Sequence, residues 1–162
     1  MKNCFFILTF FVAFFAKAQN PTDALFTAQM QVLLLDVPQN FESFKGYLIE
    51  EKDSSETYTS KMTLPGTTKN EIRTNSKGAY YIALIAPAVY EADVNKMIST
   101  WKEKLATAID KGYKEMPIDE KEQHTVRRGV WLVHNNYTAG ILLVKKEGDE
   151  TYTMQLIIML LN

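Results

Sequence analysis

The chain has 162 residues, with 18 basic and 19 acidic side chains and a formal net charge of −1. Because there is no basic excess to neutralise phosphates, a nucleic-acid partner is not expected. Cys4 is the single cysteine. A disulfide within the chain and a metal site built from several thiolates are therefore both excluded.

The first eighteen residues have the pattern of an export signal. A short basic start precedes the apolar run 4–15, and Ala16-Lys17-Ala18 has the small-x-small form that signal peptidase cuts. A membrane span needs about 20 apolar residues, and this run is shorter. We therefore expect residues 1–18 to be cleaved, with Cys4 among them, and the exported chain to start at Gln19. A retained membrane anchor is the alternative.

Residues 19–162 are long enough for one domain with one hydrophobic core. A first helix is predicted to begin at Pro21, with Asn20 as its capping residue, and to end at Leu35. Residues 29–34 also fit strand-like alternation, so that interpretation stays open. Asp36-Val37-Pro38 ends the element, because the residue before proline avoids the helical conformation.

Two strands, 47–51 and 56–62, are joined by a polar turn and predict an antiparallel hairpin. The polar stretch 67–78 is either a long loop or contains a short edge strand at 71–74. Residues 79–86 alternate with apolar side chains on both faces. Such a strand is covered on both sides or lies at an interface.

The clearest predicted helix covers residues 87–111. Its apolar residues recur at steps of three and four and include Trp101, while the opposite face is polar. Pro87 fits the first turn of this helix, and Gly112 is a natural stop. The apolar stripe indicates that the helix packs on a sheet.

After this helix, residues 114–123 are predicted to be a charged connection, followed by strands 126–134, 140–146 and 150–161. The last strand is the most apolar. An open edge of that composition would aggregate, so we expect it inside the sheet or with its outer face buried in a homodimer.

One short stretch of sequence recurs. Residues 56–59 and 150–153 both read Glu-Thr-Tyr-Thr, at an offset of 94 residues, and further identities surround them. This is weak evidence for a duplicated helix-plus-sheet unit, since the similar strands take different places in each half.

The predicted fold class is therefore α+β: an antiparallel β-sheet with two main helices on one face, in the order α-β-β-β-α-β-β-β. The domain organisation is a signal peptide at 1–18 followed by a single domain at 19–162. An order of elements alone does not indicate a function.

No phosphate loop, His-Glu-x-x-His, calcium loop or Gly-x-Ser-x-Gly motif occurs in the chain. His124 and His134 lie at opposite ends of a predicted strand, which keeps them about 30 Å apart. Neither a metal site, a cofactor nor a set of catalytic residues is predicted. Candidate ligand-binding residues are Tyr81, Trp131, Arg128 and His134, and the rings of Tyr80 and Trp101 are considered with them, although core packing is the more common role of such aromatic rings.

These patterns favour an exported, periplasmic or extracellular, non-catalytic binding or accessory protein. Its partner would be a protein, a peptide or a small molecule, without nucleic acid and without an integral membrane segment after cleavage; a homodimer is a further option. The alternative is a small extracytoplasmic hydrolase whose site is assembled by the fold, with His134 or Asp119 as base.

Overall fold

The computed structural model describes residues 21–109 and 111–160, so the predicted signal sequence and the Asn20 cap lie outside the described residues. The two helices are α1 (Pro21–Asp36) and α2 (Val94–Ala108). The eight strands are β1 (Lys45–Lys52), β2 (Ser55–Ser60), β3 (Lys69–Asn75), β4 (Gly78–Val89), β5 (Lys114–Glu122), β6 (Thr125–Val133), β7 (Tyr137–Lys146) and β8 (Tyr152–Leu160). Neither α1 nor α2 has the length and apolar character needed to cross a bilayer, and the described residues contain no other helix that does.

All eight strands form one antiparallel sheet in the order β1-β2-β3-β4-β8-β7-β6-β5. The chain therefore builds two units, each a helix followed by four strands, and the last strands of the two units pair at the centre of the sheet. The predicted α+β class and its alternation of helices with groups of strands are confirmed.

Each group contains one strand more than the sequence pattern indicated. The stretch left open as loop or edge strand is β3, which lies inside the sheet between β2 and β4. The charged stretch predicted to be a connection is β5, and that prediction is wrong. The strand is stabilised by its pairing with β6 along its whole length, which a pattern of side chains cannot reveal.

The helix predicted from Pro87 begins later, at Val94. Pro87 belongs to β4, which continues to pair with β8 as far as Val89 opposite Tyr152. The ladder is irregular between Ala86 and Val89, and such an irregularity tolerates a residue without an N–H donor. The start at Pro87 is therefore wrong, whereas the apolar stripe of α2 is confirmed by the burial of Trp101.

Both helices cover the same side of the sheet, which we call the inner face. Phe26 of α1 meets Trp101 of α2 edge to face, with ring centroids 5.8 Å apart. Beneath them, Tyr81 of β4 and Ile158 of β8 are fully buried in the same apolar cluster. The core is thus one layer between helices and sheet, and the prediction of two helices on one face is confirmed.

Strand β8 lies inside the sheet, paired with β4 on one side and β7 on the other. This confirms the interior placement expected from its apolar composition. Both of its backbone edges are occupied by neighbouring strands, so β8 offers no open edge for aggregation.

Equivalent helices and strands of the two units lie about 68 to 74 residues apart in the chain, not 94. The first Glu-Thr-Tyr-Thr stretch lies in β2, the second strand of its unit. The second stretch lies at the start of β8, the fourth strand of its unit. Since these strands are not equivalent, the similarity at 94 residues is not evidence for the repeated architecture.

Candidate binding surface

Tyr81 lies on the inner face with no exposed surface. Its hydroxyl is 2.6 Å from Oδ1 of Asn70 and 3.1 Å from the carbonyl oxygen of Met62. Burial raises the pKa of this hydroxyl. A side chain enclosed in this way packs the core, and its single hydroxyl proton is donated to a part-buried acceptor within the fold, so Tyr81 is not part of the proposed binding surface.

Arg128 belongs to a cluster of charged and aromatic side chains at the start of α2. Its guanidinium forms an ion pair with Glu91, and Nε lies 3.7 Å from Oδ1 of Asp119. The Tyr152 hydroxyl donates to Glu91 at 3.0 Å, and Nζ of Lys145 lies 4.9 Å from the centroid of the Tyr152 ring. The cluster is balanced in charge and joins the segment before α2 to strands β5, β6, β7 and β8.

These contacts lower the pKa of Glu91, first through the hydrogen bond from Tyr152 and then through that from Arg128. A carboxylate with a depressed pKa contributes stability above its unfolded-state pKa, and this contribution is lost as the pH falls through the folded-state pKa. Arg128 is paired with Glu91 and Asp119 of the same chain, which favours a structural role over the ligand contact considered from the sequence.

We expect Glu91→Gln to flatten the acid limb of the stability profile. The wild-type protein should lose stability as the pH falls below about 4.5, the ordinary glutamate value, and the variant should lose less over the same interval. Urea unfolding at a series of acidic pH values measures this, with Glu50→Gln on exposed β1 as the matched control. Identical profiles for wild type and Glu91→Gln would contradict the assigned cluster.

The two histidines do not converge. His124 pairs with Glu147 at the exposed tip where β5 meets β6, with 78% of its side-chain surface accessible. His134 follows β6 at the other end and stacks on Tyr137, with ring centroids 4.8 Å apart. Its Nδ1 is enclosed without a hydrogen-bond partner. Within residues 21–109 and 111–160, no three metal-ligating side chains are grouped.

A shallow groove of about 580 Å³ runs between α1 and α2. Lys104 in this groove pairs with Asp23 at 3.1 Å and lies over the rings of Phe26 and Trp101. The charged groups of the groove are therefore used to hold the two helices together, and its open shape offers little enclosure for a small ligand.

Trp131 is on the opposite side of the sheet from the helices, which we call the outer face. It is half-buried and lies across Gly140 of the neighbouring strand β7. A Cβ atom added to Gly140 would come within 2.1 Å of the indole ring, so only glycine leaves room for this arrangement. The ring thus lies flat on the sheet and presents its other side outward.

The neighbours of Trp131 on the outer face are also apolar. Opposite one another on β4 and β8 stand Tyr80 and Met159, and next to them Ile82 and Ile157. Most members of the set are half-buried, and Met116 is 46% exposed. The apolar outer face comprises Tyr80, Ile82, Leu84, Met116, Ile118, Trp131, Val133, Leu142, Val144, Ile157 and Met159.

Charged side chains border this surface on two sides. On β3, Lys69, Glu71 and Arg73 stand opposite Leu84, Ile82 and Tyr80. On the far side, Arg127 of β6 stands opposite Glu120 of β5.

Ile118 of the outer face is buried, and it does not belong to the apolar cluster beneath the helices. The outer face therefore packs as a second apolar layer.

Comparison of the chain with protein-family models, with curated proteins and with solved structures gives no match.

The sequence indicates Trp131 and Tyr80 as candidates but not the other residues of the outer face. The signal for them was the apolar character of residues 79–86 and 150–161 on both faces, which predicted either cover on both sides or an interface. What could not be read was which strands are adjacent. Residues 80 and 159 are far apart in the chain, and they meet only because the two units pair through β4 and β8.

Proposed function

We propose that this chain is an exported, non-catalytic binding or accessory protein that recognises another polypeptide through its outer face. The observation that carries the proposal is the continuous apolar surface over five strands, β4, β8, β7, β6 and β5, with Trp131 flat on Gly140. Contiguous apolar patches that lie within a polar border are typical of protein interaction sites.

The composition of the surface agrees with this proposal. Interface centres are depleted in charge and enriched in Trp, Tyr and Met, and the outer face contains Trp131, Tyr80 and Met159, with charges only along β3 and at the β5–β6 side. Trp131 is the expected energetic centre, since tryptophan dominates hot spots.

Arg128 and His124 support a non-catalytic role because their charged partners lie within the fold. Arg128 is held by Glu91 and Asp119, and His124 by Glu147 at an exposed tip. A hydrolase would need His134 or Asp119 beside a nucleophile. Asp119 stands opposite Arg128 in the β5–β6 ladder. Arg128 lies six residues before His134, so Asp119 is about 20 Å from His134 along the strand.

Capture experiments in the native host test the proposal. A tagged chain is isolated from the extracytoplasmic fraction of cells that also express the untagged chain, and co-purified polypeptides are identified by mass spectrometry. Trp131→Ala should reduce recovery of the partner about tenfold or more. Leu35→Ala on α1, where the side chain is 80% exposed, is the control and should leave recovery unchanged.

The intact mass of the isolated chain tests export at the same time. A mass corresponding to a chain that starts at Gln19 supports it, whereas a full-length chain in the membrane fraction contradicts it. Equal recovery of partners with wild type and Trp131→Ala would contradict the assignment of the outer face.

A further inference from the structure

The outer face has the composition of a permanent interface. Across the three central rows of β4, β8 and β7 its side chains are apolar except for Gln155 on β8 and Thr138 on β7, with Gly140 beneath Trp131. Transient interfaces are about as polar as ordinary protein surface, while homodimer interfaces are more apolar and resemble a domain core cut in half. A face of this kind is suited to stable association.

Both edges of the sheet are poorly suited to association by strand pairing. At one edge, the β1 ladder is interrupted on either side of Leu48, and such irregularities turn an edge strand away from a partner. At the other edge, β5 contains Pro117 and six charged residues in its nine positions. Since proline and charge both block added strands, the outer face is the remaining broad surface for association.

The size of the outer face is sufficient for a dimer. Strands lie about 4.8 Å apart and outward residues about 6.8 Å apart, so the five strands of the apolar outer face, with three outward residues each, give a flat footprint of about 490 Å², and the charged border strand β3 brings it to about 600 Å². A stable interface buries about 800 Å² of accessible surface per partner, and accessible surface exceeds a flat footprint because side chains project from the sheet.

The other exposed apolar side chains form smaller surfaces. On β1, Tyr47, Leu48 and Ile49 are at least half exposed, but successive residues of a strand point to opposite faces, so they form no single patch. Helix α1 exposes Leu25, Val32 and Leu35 along one side. A helix of 16 residues is about 24 Å long and about 10 Å wide, so this side covers about 240 Å². That area is well below what a stable dimer requires, and α1 is therefore not the dimer interface.

We propose that the occupant of the outer face is a second copy of this chain, packed sheet against sheet about a two-fold axis. This inference rests on the proposed function, since it names the polypeptide that the outer face binds. Two sheets stacked in this way lie about 10 Å apart and bury the side chains of both outer faces between them, as in a β-sandwich. Isologous two-fold dimers are the commonest oligomers, and a single flat apolar surface is sufficient to form one.

The mass in solution tests this proposal. The protein recovered from its native host is measured by size-exclusion chromatography with light scattering over a wide dilution series, and it should show twice the monomer mass. Ile157→Glu places a carboxylate at the centre of the outer face, twice per dimer by symmetry, and should raise the dissociation constant at least about 100-fold. Met116→Glu, at an exposed position of the same face, should weaken the dimer in the same direction.

The control is Val32→Glu on α1, which makes the same change of charge at a 46% exposed position and should leave the dimer intact. Circular dichroism of each variant establishes that it is folded before its mass is interpreted. A monomeric wild-type protein at every concentration would overturn the proposal, as would a dimer that Val32→Glu dissociates and Ile157→Glu and Met116→Glu do not.

The two proposals fail in different ways. A monomer that captures a different polypeptide in a Trp131-dependent manner overturns the second-copy proposal and leaves the proposed function standing. A monomer whose Trp131→Ala variant captures the same polypeptides as the wild type overturns both.

Discussion

Ile158→Asp is expected to destabilise the fold by about 5 kcal/mol or more, enough to unfold most domains of this size. Ile158 has no exposed surface and stands between Tyr81 of β4 and Ala139 of β7. An aspartate there is either ionised without a partner or protonated at a large cost, because the surroundings are apolar. Urea unfolding followed by circular dichroism measures the loss.

Tyr47→Asp is the matched control for this substitution. Tyr47 lies on β1 with 87% of its surface exposed, so the same introduced carboxylate should change stability by only a few tenths of a kcal/mol. If Ile158→Asp retained the wild-type urea midpoint, the placement of β8 between β4 and β7 beneath the helices would be incorrect.

Phe26→Ala is expected to cost about 3 to 5 kcal/mol, the usual loss for a fully buried phenylalanine. Phe26 has no exposed surface, meets Trp101 edge to face, and lies 4.8 Å from Nζ of Lys104. Its removal therefore takes away a buried apolar contact between α1 and α2. Tryptophan fluorescence during urea unfolding, from Trp101 and Trp131 together, should report a lower midpoint.

Leu25→Ala provides the comparison, because Leu25 is adjacent in sequence but 52% exposed. It should shift the midpoint little. Similar losses for Phe26→Ala and Leu25→Ala would mean that the helix turns a different side toward the sheet than the one described.

Much of the fold could be predicted from local patterns. The stripe of α2 and the alternation of β8 both depend on which residues are apolar, and burial of Trp101 and Ile158 follows from that. Strand β5 could not be predicted, since its charged side chains carry no apolar pattern and its stability comes from pairing with β6. The start of α2 was placed too early, because Pro87 fits the first turn of a helix as well as an irregular position in a strand.

The candidate binding surface was predictable at Trp131 and Tyr80 only. Tyr81 and Trp131 are both aromatic residues on strands, and the sequence did not distinguish them. The register of the sheet does, since it turns Tyr81 toward the helices and Trp131 toward the outer face. Arg128 and His134 were selected for their chemistry. In the fold, Arg128 forms an ion pair with Glu91, and His134 stacks on Tyr137.

The sequence by itself determined the α+β class, the apolar character of both faces of β4 and β8, and the side that α2 turns toward the core. These properties are local, because the spacing of apolar residues along one segment decides which side of it avoids water. Only the tertiary structure decided that β4 pairs with β8 and that the two units form one sheet. The outer face is a consequence of that pairing between distant segments, and its binding role is a property of the assembled sheet that no single strand contains.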